Sequence, residues 1–215
     1  MQDIHSHIIY GVDDGSQSFL ESVEMLHAAQ KAGIDRLYAT PHWKSGHPEI
    51  DRIRSHFAEL VPEAERLGID MHLGFEFNIS ALDPHRFDKA VQFAYENTDR
   101  ILLEMPFERW PAEWERILLE LQKTGLTIVV AHPERYTPIQ KDLGIVRALT
   151  EIGCLLQCNA ASVFSLRPAK RRVLQYIRKL GRLDFLASDA HSAREYEVFR
   201  RATARLGGEI NNPDL

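Results

Sequence analysis

The sequence predicts an α/β fold in which parallel strands close into a barrel with helices outside. Three observations predict it. Short apolar runs and amphipathic stretches of helical period alternate seven times along the 215 residues, the pattern of repeated βα units. The length suits one large domain, and no linker, low-complexity tract or internal repeat divides it. Side chains able to do chemistry fall just after the apolar runs, where barrel enzymes build their sites. The expectation is a single domain over residues 1–215, folded as a distorted TIM-like (βα)7 barrel.

The first strand is Gln2 to Ile4, running into His5-Ser6-His7, and Gly11 to Gly15 form a turn. Ser18 caps the first helix, with Glu21 three residues on completing a capping box. Val23, Leu26, Ala29 and Ala32 keep helical spacing until Gly33 stops it. Asp35 to Ala39 is the second strand, ending at Thr40-Pro41-His42. A polar stretch from Trp43 to Pro48 leads to a helix through Ile53, Phe57 and Leu60, closed by Gly68. Ile69 to Phe77 is the third strand, followed by a helical stretch around Phe87 to Tyr95.

Asp99 to Met105 is the fourth strand, and Pro111 opens a helix that Gly125 ends. Leu126 to Ala131 is a continuous apolar run of the kind buried on both faces. It ends at His132-Pro133-Glu134-Arg135, and a helix over Leu143 to Ile152 follows. Cys154 to Cys158 is the sixth strand, residues 166–180 a basic amphipathic helix, and Asp184 to Ala187 the seventh strand. The last helix spans 194–206. Gly207-Gly208 and Asn211-Asn212-Pro213 read as loop, which leaves a further closing segment open.

A hydrophobic fraction of 44% and a charged fraction of 27% describe a soluble globular chain and exclude disordered classes. The net charge of −5 argues against non-specific binding to nucleic acid or to an anionic membrane. No basic segment followed by an apolar core opens the chain, and no apolar run is long enough to span a bilayer. The expected location is the cytoplasm, with no membrane insertion. Cys154 and Cys158 are expected to be reduced core residues.

The strand ends carry the chemistry. They bear His5 and His7, His42, Glu76, Glu104, His132, and Asp189 with His191. With Asp14 from the first turn this makes five histidines and four carboxylates. The sixth strand, ending in Cys158-Asn159, offers no clear ligand. A lone histidine is usually packed or solvated, and His27, His47, His56, His72 and His85 are read that way. Glu76 and Glu104 follow apolar strands directly, where an unpaired carboxylate is costly and metal coordination relieves the cost. A thiolate-free N/O set of this size suits two or three ions of Mn²⁺, Fe²⁺ or Zn²⁺. Such a cluster is a receptor for an anionic oxyester.

The first-strand motif, Thr40-Pro41-His42, Glu76, the Ala131-His132-Pro133-Glu134-Arg135 run and Ser188-Asp189-Ala190-His191 together resemble the polymerase and histidinol phosphatase (PHP) superfamily. Gly11-Val12-Asp13-Asp14-Gly15 and Ile101-Leu102-Leu103-Glu104-Met105-Pro106-Phe107 narrow the resemblance to the bacterial PHP-type protein tyrosine phosphatases of capsule and exopolysaccharide loci. It covers nearly the whole chain.

This resemblance implies a distorted barrel and a trinuclear, often manganese-dependent centre. His5, His7, Glu76 and Asp189 would hold one ion. Glu76 would bridge to a second held by Glu104 and His132, and Asp14, His42 and His191 would hold a third. Asp13 stays open as an alternative to Asp14. Arg135 and Arg194 correspond to the phosphate-binding arginines, and His42 or a water would protonate the leaving phenolate. Trp43 departs from relatives that carry a second histidine there.

The reaction expected is metal-assisted, in-line hydrolysis of a phosphotyrosine protein, releasing inorganic phosphate. The expected substrate is a bacterial tyrosine autokinase regulating capsule synthesis. Thiol-based phosphatase chemistry is excluded, because it needs an arginine six residues after the cysteine, and Ala160 and Phe164 stand there. Two rivals remain. One is a PHP phosphoesterase for a small metabolite such as histidinol phosphate or a nucleotide. The other is a non-catalytic metal-binding assembly module. The basic helix, with Lys170, Arg171, Arg172, Arg178 and Lys179, is a solvated face or a dock for an acidic partner. Trp114 is expected to pack, while Trp110 and Phe107 either pack or line the entrance.

Overall fold

A computed structural model describes residues 1–44, 50–83, 86–213 and 215. The expectations for His47, Pro48 and His85 lie outside the described residues. The first half of the chain runs β1 (Gln2–Ser6), α1 (Phe19–Lys31), β2 (Arg36–Ala39), β3 (His42–Trp43), α2 (Ile50–Arg66), β4 (Asp70–Leu73) and β5 (Glu76–Asn78). Then come β6 (Arg100–Glu104), α3 (Trp114–Gln122), β7 (Thr127–Ala131), α4 (Thr137–Lys141) and α5 (Gly144–Glu151). The chain continues with β8 (Leu155–Asn159), α6 (Pro168–Lys179), β9 (Phe185–Ala187) and α7 (Ala193–Leu206). No helix among the described residues is long and apolar enough to cross a membrane.

All the strand pairings are parallel, in two sheets: β1-β2-β4 and β3-β5-β6-β7-β8-β9. The expected single barrel ladder is therefore divided among the described residues. The division falls where the chain bends. Ile69 to Phe77, expected as one strand, is two: β4 pairs with β2, and β5 pairs with β3 and β6. Gly74 sits at the break. A Cβ there would lie 2.5 Å from the Tyr95 ring, so only glycine lets the chain pass so close. The sheets meet again between β1 and β9, where Ser6 bridges Ala190 and the N–H of His7 donates to the Ala190 carbonyl at 2.9 Å.

Two apolar layers flank the strands. Ile4, Tyr38, Leu102, Val129, Ala131, Phe185 and Ala187, drawn from strands of both sheets, pack with Tyr95 into an inner core. The alternate residues, such as Leu37, Ile101, Leu103, Ile128 and Val130, pack outward with helix residues such as Leu26, Leu118, Leu149 and Ile177. Burial on both faces is what parallel strands covered by helices require. The C-terminal ends of β1, β6, β7 and β9 open above the inner core.

Other expectations shift in detail. Ser18 caps α1 by accepting from the Glu21 N–H at 3.3 Å, but the Glu21 carboxylate accepts from Gln17, one residue earlier than a capping box requires. The complete box belongs to α7, between Ser192 and Glu195. Phe87–Phe93, expected to be helical, winds as a 3-10 helix. The short helix α4 was not expected; five residues are too few to show a period.

Candidate metal centre

The strand ends above the inner core bring the expected ligand residues together. His5 on β1 and His7 just after it, two positions apart, turn to the same side with their Nε2 atoms 3.2 Å apart. The β1–β2 pairing shifts register between Asp3 and Ser6, an irregularity of the kind that re-aims a strand end. His42 opens β3, Glu76 opens β5 and Glu104 closes β6. His132 follows β7 directly and Asp189 follows β9 after Ser188, both with left-handed backbone, at φ 33° and 52°. Strain of this sort at non-glycine residues gathers at functional sites.

Four of these residues stand close together, and three of them, His5, His7 and Asp189, have donor atoms within 4.8 Å of one another. His5 Nε2 lies 3.4 Å from Glu76 Oε2 and 3.3 Å from Asp189 Oδ1. His7 Nε2 lies 3.4 Å from the same Glu76 oxygen and 3.2 Å from the same Asp189 oxygen. These spacings are too long for good hydrogen bonds. They match the edge of a coordination shell: bonds of about 2.0–2.1 Å put tetrahedral ligands about 3.3–3.4 Å apart. Glu76 extends the cluster, with Oε1 2.8 Å from His132 Nε2 and Oε2 2.7 Å from His42 Nδ1. His42, Glu76 and Glu104 have donor atoms within 4.8 Å of one another. On the outer side, Asp14 Oδ1 stands 3.3 Å from His42 Nε2 and 3.4 Å from His191 Nε2. The His7 ring stacks on His191 with centroids 4.1 Å apart.

The donor set fits divalent ions. Every member offers nitrogen or oxygen, as hard or borderline ions prefer. Several buried atoms also lack a hydrogen bond: His42 Nδ1, Glu76 Oε2 and His132 Nδ1. His42 Nδ1 and Glu76 Oε2 lie 2.7 Å apart without a well-formed hydrogen bond between them. The charges agree. Burial would push His5 and His7 down, but the carboxylates around them hold both above the usual histidine range. Burial would push Glu76 and Asp189 up, but the neighbouring histidines keep both well below the usual carboxylate range.

The chain matches the family model for capsular polysaccharide synthesis, CpsB/CapC, over residues 1–201. The chain belongs to the CpsB/CapC family. It is 30% identical over 200 residues to the tyrosine-protein phosphatase YwqE of Bacillus subtilis, spanning 90% of this chain and 78% of that one. It is 31% identical over 199 residues to a putative tyrosine-protein phosphatase CapC of Staphylococcus aureus, spanning 89% and 77%. A solved chain, from crystal structures of Bacillus subtilis YwqE and Streptococcus pneumoniae CpsB described as metal-dependent tyrosine phosphatases, superposes with a TM-score of 0.85 at 29% identity. That match covers 99% of this chain and 88% of the other. A putative histidinol phosphatase from Listeria monocytogenes superposes at 0.58 with 14% identity, covering 91% and 97%, a likeness of fold.

In this CpsB/CapC chain a second ring of side chains orients the cluster. His5 Nδ1 pairs with Gln157 Oε1 at 3.0 Å, His7 Nδ1 with Asp13 Oδ2 at 2.8 Å, and His191 Nδ1 with the Asp189 carbonyl at 2.9 Å. Each such contact leaves Nε2 turned to the centre. Gln157 donates to Asn159, and Asn159 donates to Asp189 Oδ2 at 2.5 Å. Glu134 accepts from the Asn159 N–H and the Ser162 hydroxyl. Glu195, capping α7, accepts from the His191 N–H at 2.7 Å. The sixth strand of the sequence, β8, thus supplies orienting amides where no ligand was expected. A polar residue between Leu156 and Cys158 on a doubly buried strand was the signal, because a buried amide needs partners.

Asp13 and Asp14 divide the turn between them. The Asp13 side chain is 1% exposed, while that of Asp14 is 71% exposed and faces His42 and His191. Burial opposes ionisation of Asp13, but the His7 hydrogen bond and the N–H groups of Gly15 and His42 bring its carboxyl down to about 2. Gly15 closes the turn on His7, where a Cβ would fall 2.1 Å from the His7 carbonyl oxygen. Asp13→Asn should weaken metal binding about 10–100-fold with the fold intact, because it frees the His7 ring to rotate. Metal titration by calorimetry checks this, and unchanged affinity would remove Asp13 from the orienting role.

The two predicted arginines lie apart. The Arg135 guanidinium donates to Asp189 Oδ2 at 2.8 Å and lies 4.8 Å over the Phe107 ring, which stacks on His132. Arg194 lines a different cleft, with Glu21, Glu24 and Met25, across His191. Trp110 and Trp114 pack edge to face, and Trp110 also packs on Tyr136. His56 stacks on Tyr10, His72 pairs with Asp70, and His27 is exposed, all away from the cluster.

Proposed function

We propose that this chain is a metal-dependent phosphatase that hydrolyses phosphotyrosine in proteins, with a bacterial tyrosine autokinase of a capsule or exopolysaccharide locus as substrate. The observation that carries the reading is the convergence of His5, His7, Glu76 and Asp189 at 3.2–3.4 Å. The fold is read as a PHP-type distorted barrel, supported by the inner core shared between strands of both sheets. The relatives' activity on phosphotyrosine supports the substrate class.

In this reading His5, His7, Glu76 and Asp189 hold one ion, Glu76, Glu104 and His132 a second, and Asp14, His42 and His191 a third. The set suits two or three Mn²⁺ ions, with Fe or Zn as alternatives. Bound divalent ions supply an activated water and neutralise charge on the phosphoryl oxygens. The chain's own residues do the rest. Arg135 sits beside Asp189 at the rim and takes the phosphate through charge-assisted hydrogen bonds. Arg194 lines a cleft with His191 and would meet the substrate from that side. In this reading His42, whose side chain is 11% exposed, or a water would pass a proton to the leaving phenolate. The two free, buried thiols support a cytoplasmic setting.

Arg135 favours a protein substrate over a small metabolite, because its side chain is 34% exposed and accessible to a tyrosine carried on a surface. On manganese-reconstituted enzyme, kcat/KM for a phosphotyrosine peptide should exceed that for histidinol phosphate at least about tenfold, or about 1.4 kcal/mol. An equal or inverted ratio would favour the metabolite phosphoesterase. Absence of turnover on both would favour the assembly module.

A further inference from the structure

A cavity of about 460 Å³ opens beside the cluster, lined by Arg135, Arg167 and Lys170 together with Asp189, His191 and Glu195. Its charged groups are unequally engaged. Asp189 is held by Arg135 and Asn159, and Glu195 caps α7. Among the described residues, the side chains of Arg167 and Lys170 form no ion pair or hydrogen bond.

Their position makes this costly. Arg167 directly precedes α6 and Lys170 is its third residue, in a first turn without an acidic side chain. The N-terminal end of a helix already carries partial positive charge, so cations there are unfavourable. Lys170 is pushed down by burial first and by the positive charge of Arg135 next; Glu134 pulls it up, Arg167 adds a smaller push down and Asp189 the smallest pull up. Three cations converge on one polar cavity that shares Asp189 and His191 with the metal cluster. An anion in the cavity would relieve this crowding of positive charge.

We propose that Arg167 and Lys170 form a second anion subsite, which takes a carboxylate or phosphate carried on the same polypeptide as the phosphotyrosine. The proposal rests on the phosphotyrosine reading of the neighbouring centre. With the scissile phosphate at Arg135, the second group belongs to a residue flanking the phosphotyrosine, because Arg135 lines the same cavity as Arg167 and Lys170. The subsite makes the enzyme selective for acidic or multiply phosphorylated segments. Its contribution is screened by salt, as expected for partly exposed charges.

The test uses the manganese-loaded full chain and three phosphotyrosine peptides of equal length. Their flanking residues are Asp and Glu, a second phosphotyrosine, or Asn and Gln. The anionic peptides should show kcat/KM about 5–20-fold above the neutral one, through KM, as expected for two modest ion pairs. That ratio should fall below about twofold in the Arg167→Gln/Lys170→Gln double variant and in high salt. Each variant is its own control, so a partial loss of folded enzyme does not alter the ratio. A gain for the phosphorylated flank alone supports the subsite and assigns it to phosphate; a gain for both assigns it to either anion. A ratio near one in the wild type, or an undiminished ratio in the double variant, overturns the subsite while leaving the phosphotyrosine reading in place. Absence of turnover on all three peptides overturns both.

Discussion

Glu76→Gln should reduce phosphotyrosine hydrolysis by at least about 10³-fold, equivalent to about 4 kcal/mol of transition-state stabilisation. Glu76 is the residue on which the cluster converges. One oxygen faces His5, His7 and His42, and the other faces His132. Glutamine keeps the shape but removes the charge and turns an amide N–H₂ toward an imidazole nitrogen. The histidines then lose the carboxylate that helps to hold His5 and His7 above their usual range. Metal content by elemental analysis should drop by at least one equivalent, and the circular dichroism spectrum should be retained. A variant that keeps full metal content and activity within tenfold of wild type would remove Glu76 from the centre.

A chelator in excess should lower activity about 100-fold or more, and manganese should restore it, while thiol alkylation of the folded protein should leave it unchanged. Both cysteines are fully buried. Burial pushes the Cys154 thiol up to about 12, and burial with Glu134 close by pushes Cys158 well above the usual thiol range. Neither is a thiolate near neutral pH, and neither is reached by reagent in the native state. Parallel assays with EDTA and with iodoacetamide on the same preparation decide the matter. Full activity in excess EDTA, or loss on alkylation under native conditions, would refute metal-based hydrolysis.

The ligand residues were legible because each stands at an abrupt change of pattern. His132 follows a run of apolar residues that only a doubly buried strand explains, and Asp189 follows another. Glu76 was legible as a ligand but not as the start of a new strand. The break before it depends on the close approach of Gly74 to Tyr95, twenty-one positions later in the chain, and no local pattern records such a contact. Asp13 and Asp14 were indistinguishable for a similar reason. Which of them turns inward depends on Gly15 seating against His7 and on the N–H of His42 reaching back to Asp13. Gln157 and Asn159 carry no ligand signal in the sequence, because amides are weak ligands, and their orienting role rests on contacts with His5 and Asp189 from distant parts of the chain. Arg167 and Lys170 read as part of a solvated basic helix, and their shared cavity emerges only when α6 is set against β8 and β9.

The division into two sheets gives the cluster a mechanical meaning. His5 and His7 ride on one sheet, while Glu76, Glu104 and the residues after β7 and β9 ride on the other. Between β1 and β9 the backbone offers little beyond the Ser6–Ala190 bridge and the bonds beside it. Ions gripped from both sides would act as rivets through that seam. Their binding free energy would then also be cohesion between the two halves of the molecule. Starved of metal, the two sheets would be held by their shared inner core and the bonds between β1 and β9 alone, and the protein would melt at a lower temperature.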